Sequence, residues 1–136
     1  MSIVCVLLFY VNISSLLGSY FFICTEGFTV FVERKIIGRM YGEQEAALHA
    51  SIGWNKLTTA VGHYGCHHEF TQLHVPLDDV DPDDAFSSIP YEKGFSLLYY
   101  LEELVGGAEK FEPFIKEHVK KYQYKHVTAM GVGTIV

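Results

Sequence analysis

Two stretches of the chain carry side chains that could bind a metal ion. The first contains a lone carboxylate, Glu26, preceded by 25 residues without a single charged side chain. The second, residues 63–69, reads His-Tyr-Gly-Cys-His-His-Glu and is dense in imidazole, thiol and carboxylate groups. Structural zinc sites usually pair two short ligand clusters, and no second cluster accompanies residues 63–69. We therefore expect no metal site there, and Glu26 becomes the principal candidate.

The length, composition and charge limit the classes of function that the chain could have. Its 136 residues make one domain or a piece of a larger one. With 49% apolar and 15% aromatic residues it has the composition of a globular protein. The net charge of −6 and the lack of a basic stripe argue against a nucleic-acid partner. Three cysteines without a Cys-x-x-Cys spacing indicate no disulfide framework, and a reducing, cytoplasmic location is the simpler expectation.

The uncharged segment of residues 3–24 has three interpretations. It is long enough to cross a bilayer, which would make the chain a membrane-anchored protein. It lacks the Lys or Arg that normally precedes a signal peptide or an oriented anchor. The favoured interpretations are therefore a buried apolar segment or foreign sequence joined to a domain. The membrane anchor is kept as the alternative.

Helical patterns dominate the rest of the chain. A helix with Thr25 as its N-cap and Glu26 in its first turn is predicted from the i, i+3, i+4 spacing of its apolar residues. That face comprises Phe28, Phe31, Val32, Ile36, Ile37 and Met40, together with Lys35. Two short helices are predicted over residues 43–50 and 54–61. Residues 63–90, rich in Asp and Pro, are predicted to be a long irregular connection.

A helical hairpin is predicted over residues 91–122. Its first helix spans residues 91–105 and opens after Pro90, and Gly106-Gly107 ends it. The second spans residues 108–122, where Pro113 should be tolerated only within a first turn. Inward-facing side chains are expected at Phe95, Leu98, Tyr99, Leu101 and Leu104 in the first helix, and at Phe111, Phe114, Ile115, His118 and Val119 in the second. Residues 128–136 are expected to form a frayed tail.

Several motifs resemble one enzyme family. Residues 25–34 read Thr-Glu-Gly-Phe-Thr-Val-Phe-Val-Glu-Arg, residues 79–83 Asp-Val-Asp-Pro-Asp, and residues 87–95 Ser-Ser-Ile-Pro-Tyr-Glu-Lys-Gly-Phe. These resemble the active-site segments of the zinc aminopeptidases of the membrane alanyl aminopeptidase family. Residues 53–54, 70–73, 101–107 and 122–125 are more similar to its leukotriene A(4) hydrolase branch than to aminopeptidase B. The resemblance covers about residues 26–127.

The resemblance implies a fold, a cofactor and a set of site residues. The fold would be mainly α, a helical fragment of a thermolysin-like zinc metallopeptidase domain, with residues 25–127 as the partial catalytic domain. In this family two histidines of a His-Glu-x-x-His motif and a later Glu hold zinc, and the zinc-bound water attacks peptide substrates at their N-terminus. Glu26 matches the third ligand, and Tyr91 matches a tyrosine that stabilises the oxyanion. Asp83 matches a pocket aspartate, and Phe86 stands where a second tyrosine is expected.

The chain departs from the family at the positions where the other zinc ligands are expected. Counting back from Glu26 places the two histidines and the general base at positions that hold Ile3, Leu7 and Val4. We therefore expect that this chain alone binds no zinc stably and has no peptidase activity. The alternative is a non-catalytic membrane-associated or interaction protein that uses residues 3–24. A third interpretation is that both ends of the sequence are mis-joined.

Overall fold

The chain folds into four α-helices in the computed structural model, which describes residues 22–72 and 87–122. The helices are α1 (Phe22–Tyr41), α2 (Glu43–Tyr64), α3 (Ile89–Val105) and α4 (Ala108–Tyr122), with a 3₁₀ helix at Glu69–Thr71. The described residues contain no strand. The prediction of a mainly α fold with a hairpin over residues 91–122 is therefore confirmed. Asp83, Phe86 and the tail at 128–136 lie outside the described residues, as does most of the apolar segment.

The core forms where α1 meets the α3–α4 hairpin. It is built from Phe28 and Phe31 of α1, Leu98 of α3 and Phe111 of α4. The ring of Phe31 packs edge-on against Phe111 at a centroid distance of 5.7 Å. Each such side chain contributes about 1.5–3 kcal/mol on burial. Since α1 supplies two of the four, it is the central element of the described fold.

The first helices differ from the sequence predictions in three respects. Thr25 lies inside α1, which spans Phe22–Tyr41, so it is not an N-cap. Residues 43–50 and 54–61 belong to one continuous helix, α2, which passes through Gly53. Met40 is 65% exposed and does not continue the apolar face. That face instead follows Gly27, Phe31, Arg34 and Gly38, all buried.

The hairpin follows the prediction more closely. Gly106 adopts φ 96° at the end of α3, a left-handed conformation that favours glycine. Pro113, however, lies inside α4 rather than in its first turn, and its ring is on the exposed side of the helix. Tyr99 and Leu104 were expected inward but are 50% and 62% exposed. Among the described helices, none is both long and apolar enough to cross a membrane.

Candidate active site

Glu26 and Tyr91 meet between α1 and α3. The Tyr91 hydroxyl lies close enough to the Glu26 carboxylate for the two groups to interact, and both side chains are partly buried. Sixty-five positions separate these two residues in the sequence, so only the packing of the two helices brings them together. Of the four site residues predicted from sequence, these two lie in the described part of the chain, and they are in contact. Asp83 and Phe86 fall outside it.

Two glycines allow this meeting. A Cβ on Gly27 would stand 2.6 Å from the Gly94 Cα and 2.8 Å from its carbonyl carbon. The two backbones therefore touch one residue after Glu26 and three residues after Tyr91. Any larger side chain at Gly27 would push α3 outward. The glycine that follows Glu26 is thus a structural requirement of the Glu26–Tyr91 contact.

Burial shifts the pKa of both groups. Desolvation raises the pKa of the Glu26 carboxyl, and the hydrogen bond from Tyr91 partly opposes that shift. The pKa of the Tyr91 phenol is raised by desolvation, by the nearby Glu26 charge and by the hydrogen bond that it donates. Perturbed groups that face each other in this way are typical of functional sites. Tyr91 therefore keeps its proton and stays a hydrogen-bond donor at neutral pH.

A buried ion pair lies beside this contact. Nη2 of Arg34 lies 3.0 Å and 2.7 Å from the two carboxylate oxygens of Glu92. The sequence patterns did not identify this pair. Glu33 is exposed, whereas Arg34 is buried one turn beyond Phe31 on the face described above. The i, i+4, i+7, i+11 spacing of that face is the signal that could have identified it.

Residues 63–69 lie at the end of α2 and the start of the 3₁₀ helix. The Nδ1 atom of His68 accepts a hydrogen bond from the Phe70 N–H and so caps the 3₁₀ helix. The His68 ring also packs against Tyr64 and Phe70, at centroid distances of 5.4 Å and 4.9 Å. These contacts give the histidine a structural role.

The described residues do not by themselves form a zinc site. No group of three or more His, Cys, Asp or Glu side chains suited to holding a metal occurs within residues 22–72 and 87–122. Glu26 offers one carboxylate ligand, and a zinc site needs at least three protein ligands. Positions 3, 4 and 7, where the resemblance expects the other groups, lie outside the described residues.

Comparison with known proteins identifies the family. The model of the peptidase family M1 domain matches residues 21–134. Leucine aminopeptidase 2 of Ajellomyces capsulatus is 51% identical over 98 residues, which are 72% of this chain and 16% of that protein. Leukotriene A-4 hydrolase of Xenopus laevis is 48% identical over 103 residues, which are 76% of this chain and 17% of that protein. The chain thus spans about a sixth of the length of these relatives.

The structural comparison agrees with the sequence comparison. Native leukotriene A4 hydrolase from Saccharomyces cerevisiae superimposes with a TM-score of 0.80 and 41% sequence identity. The match covers 84% of this chain and 18% of the yeast protein. The family match extends over most of the chain, and the helices superimpose on those of a family enzyme. The chain therefore belongs to the M1 peptidase family, and it contains a helical part of the family's domain.

Proposed function

We propose that this chain is a segment of a leukotriene A(4) hydrolase-like zinc aminopeptidase that removes N-terminal residues from peptides in the cytoplasm. In this proposal Glu26 is a zinc ligand and Tyr91 is the oxyanion donor. The pairing of these two side chains between α1 and α3 carries the proposal. It holds a protonated phenol next to the carboxylate that would face the metal, which is the arrangement that the chemistry requires.

Tyr91 has the properties of an oxyanion donor. Its raised pKa keeps the hydroxyl protonated well above neutral pH. It lies in the first turns of α3, and the close contact of Gly27 with Gly94 fixes that helix against α1. A donor that is held in place before the reaction stabilises developing negative charge without reorganisation cost. Loss of one such donor typically lowers kcat by about 100- to 1000-fold.

We further propose that the chain alone is inactive. Glu26 is one ligand of three, and Ile3, Val4 and Leu7 stand where the other two ligands and the general base are expected. The purified chain should therefore give no chelator-sensitive turnover of an aminoacyl chromogenic substrate when zinc is added. Turnover that a chelator abolishes would contradict this proposal.

A chimera tests the roles of the two residues. Residues 26–122 of this chain would replace the matching segment of Saccharomyces cerevisiae leukotriene A4 hydrolase, which then supplies the remaining site. We expect the chimera to cleave aminoacyl substrates. Glu26→Gln should lower bound zinc, measured by elemental analysis, whereas Tyr91→Phe should keep zinc and lower kcat.

Tyr100→Phe is the matched control for Tyr91→Phe. Tyr100 lies on the same helix nine positions after Tyr91, roughly 13 Å further along the axis, so its hydroxyl should not reach the site. If Tyr91→Phe and Tyr100→Phe have equal kcat values, Tyr91 is not the oxyanion donor. If Glu26→Gln keeps its zinc, Glu26 is not a ligand.

A further inference from the structure

The Arg34–Glu92 ion pair is enclosed by three helices. The side chains of Arg34 on α1 and Glu92 on α3 are 9% and 10% exposed. From α2, Gly53 lies against the pair, where a Cβ would be 2.0 Å from Glu92 Oε2 and 2.3 Å from Arg34 Nη2. The Arg34 guanidinium also lies 4.0 Å above the centre of the Phe95 ring. The pair therefore fills the space that a side chain at position 53 would need.

Stability does not explain such a pair. Removing two charges from water costs about as much as their attraction returns, and apolar replacements of similar volume are often as stable or more stable. A buried ion pair does, however, impose a specific geometry, because its two partners have few alternative positions. The purpose of that geometry is suggested by the position of Glu92, which directly follows Tyr91 in the sequence.

Consecutive residues of α3 bind the same helix. Tyr91 lies against Glu26, and the next residue, Glu92, accepts a hydrogen bond from Arg34. Consecutive side chains on a helix point about 100° apart, since a turn takes 3.6 residues. Two such contacts to α1 therefore fix both the rotation of α3 about its axis and its height along α1. A change in either would move the Tyr91 hydroxyl away from Glu26.

We propose that Arg34 and Glu92 are positioning residues, which hold the Tyr91 hydroxyl on the Glu26 carboxylate by setting the rotation of α3 against α1. Gly53 completes the arrangement by leaving space for the pair. The catalytic consequence of this positioning rests on the roles proposed above for Glu26 and Tyr91. The positioning itself is a property of this chain and can be measured without zinc or substrate.

A second ion pair supplies the control. Lys35 Nζ contacts Glu102 Oε1, so this pair joins the same two helices. Glu102 lies ten positions after Glu92, far from Tyr91 along the helix. If α1 and α3 only needed some ion pair to hold them together, the two pairs would affect the Glu26–Tyr91 contact equally. The proposal requires that only Arg34–Glu92 does.

The test is a double-mutant cycle between Glu26 and Tyr91 in three backgrounds. Glu26→Gln, Tyr91→Phe and the combination are made in the unchanged chain, in Arg34→Met/Glu92→Met and in Lys35→Met/Glu102→Met. Paired methionines leave no unpaired buried charge, so each background should fold, as circular dichroism would verify. The unfolding equilibrium constant, from urea denaturation, gives the coupling in each background.

We expect a coupling of about five-fold in the unfolding constant for the unchanged chain, as for a typical hydrogen bond. It should disappear in Arg34→Met/Glu92→Met, even where that variant is as stable as its parent. It should persist in Lys35→Met/Glu102→Met. Coupling that survives the loss of Arg34 and Glu92, or that both backgrounds abolish, overturns the proposal.

The chimera separates this proposal from the proposed function. There, Arg34→Met/Glu92→Met should lower kcat while KM and bound zinc stay unchanged. If the chimera is inactive altogether, the proposed function fails and the coupling measurement still decides the positioning. If the chimera is active and its kcat is insensitive to the Arg34 and Glu92 changes, the positioning proposal fails alone.

Discussion

Gly27 and Gly94 lie in direct backbone contact, and a Cβ on Gly27 would overlap the Gly94 Cα at 2.6 Å. Glu26 meets Tyr91 near the start of both helices, and Lys35 meets Glu102 further along both. Helices α1 and α3 therefore run in the same direction, and their closest approach lies next to the candidate site. The contact between Glu26 and Tyr91 therefore depends on glycine at positions 27 and 94.

Gly27→Ala should destabilise the fold. The overlap with the Gly94 backbone cannot be relieved by a rotamer change, and overpacking of this kind costs about 1–3 kcal/mol. Gly62→Ala is the matched control, since a Cβ there meets nothing within 4 Å. Because alanine favours a helix interior, Gly62→Ala should stabilise by up to about 1 kcal/mol. Urea denaturation followed by circular dichroism measures both, and equal signs would refute the close contact.

Glu26→Gln should change how stability depends on pH. Because desolvation raises the pKa of Glu26, the folded state holds this proton more tightly than the unfolded state. Its stabilising contribution is complete below the unfolded value of about 4.5 and is lost as pH rises through the higher folded value. Relative to its parent, Glu26→Gln should therefore gain stability between acid and neutral pH. A difference in unfolding free energy that stays constant over that range would contradict the burial of this carboxylate.

His118 should destabilise the fold in acid. It is buried and its ring stacks on Phe28 at a centroid distance of 5.4 Å. Desolvation, followed by the charge of Lys121, lowers its pKa below 6.5. The unfolded state then binds the proton more tightly, so the His118 contribution is complete above pH 6.5 and is lost as pH falls toward the folded value.

His118→Gln should lose less stability in acid than its parent. The measurement is the fall in the free energy of unfolding from pH 7 to pH 5. His67→Gln provides the control, because His67 is exposed. The prediction fails if the two variants lose stability equally over this range.

The apolar segment of residues 3–24 can be tested independently of the site. If it is a membrane anchor, the full chain should remain with the membrane fraction after carbonate washing. A variant that begins at residue 25 should then be found in the supernatant. We expect the full chain in the supernatant as well, since the cytoplasmic interpretation is favoured, and retention that depends on residues 3–24 would support the alternative.

Helices whose ends are marked by strong local signals could be predicted from the sequence. The bounds of α4 were predicted at residues 108–122, and α3 begins two residues before its predicted start. Gly106-Gly107 and Pro90 mark those ends through backbone conformation, which is a local property. Gly53, by contrast, lies in the gap between the two short helices predicted over residues 43–50 and 54–61. The structure places it inside one helix, where the Arg34–Glu92 pair occupies the space that a side chain would fill, and no local pattern reveals such a tertiary requirement.

The site was predicted only in part. The motif predicted Glu26 and Tyr91 as site residues, which stays a prediction, and the packing of α1 on α3 brings the two side chains together. The pairing of Arg34 with Glu92 was not predicted. The partner of Arg34 lies 58 positions away, so the sequence alone could indicate its burial but not its partner.

Helix α3 has apolar side chains on two sides. Phe95 and Leu98 face α1, while Leu97, Tyr100 and Leu104 form a second stripe that is 40%, 61% and 62% exposed. A helix that is apolar all round normally lies inside a larger protein. The purified chain alone should therefore need low concentration or mild detergent to stay in solution. A loss of circular dichroism signal on denaturation should be checked for precipitation before it is attributed to unfolding.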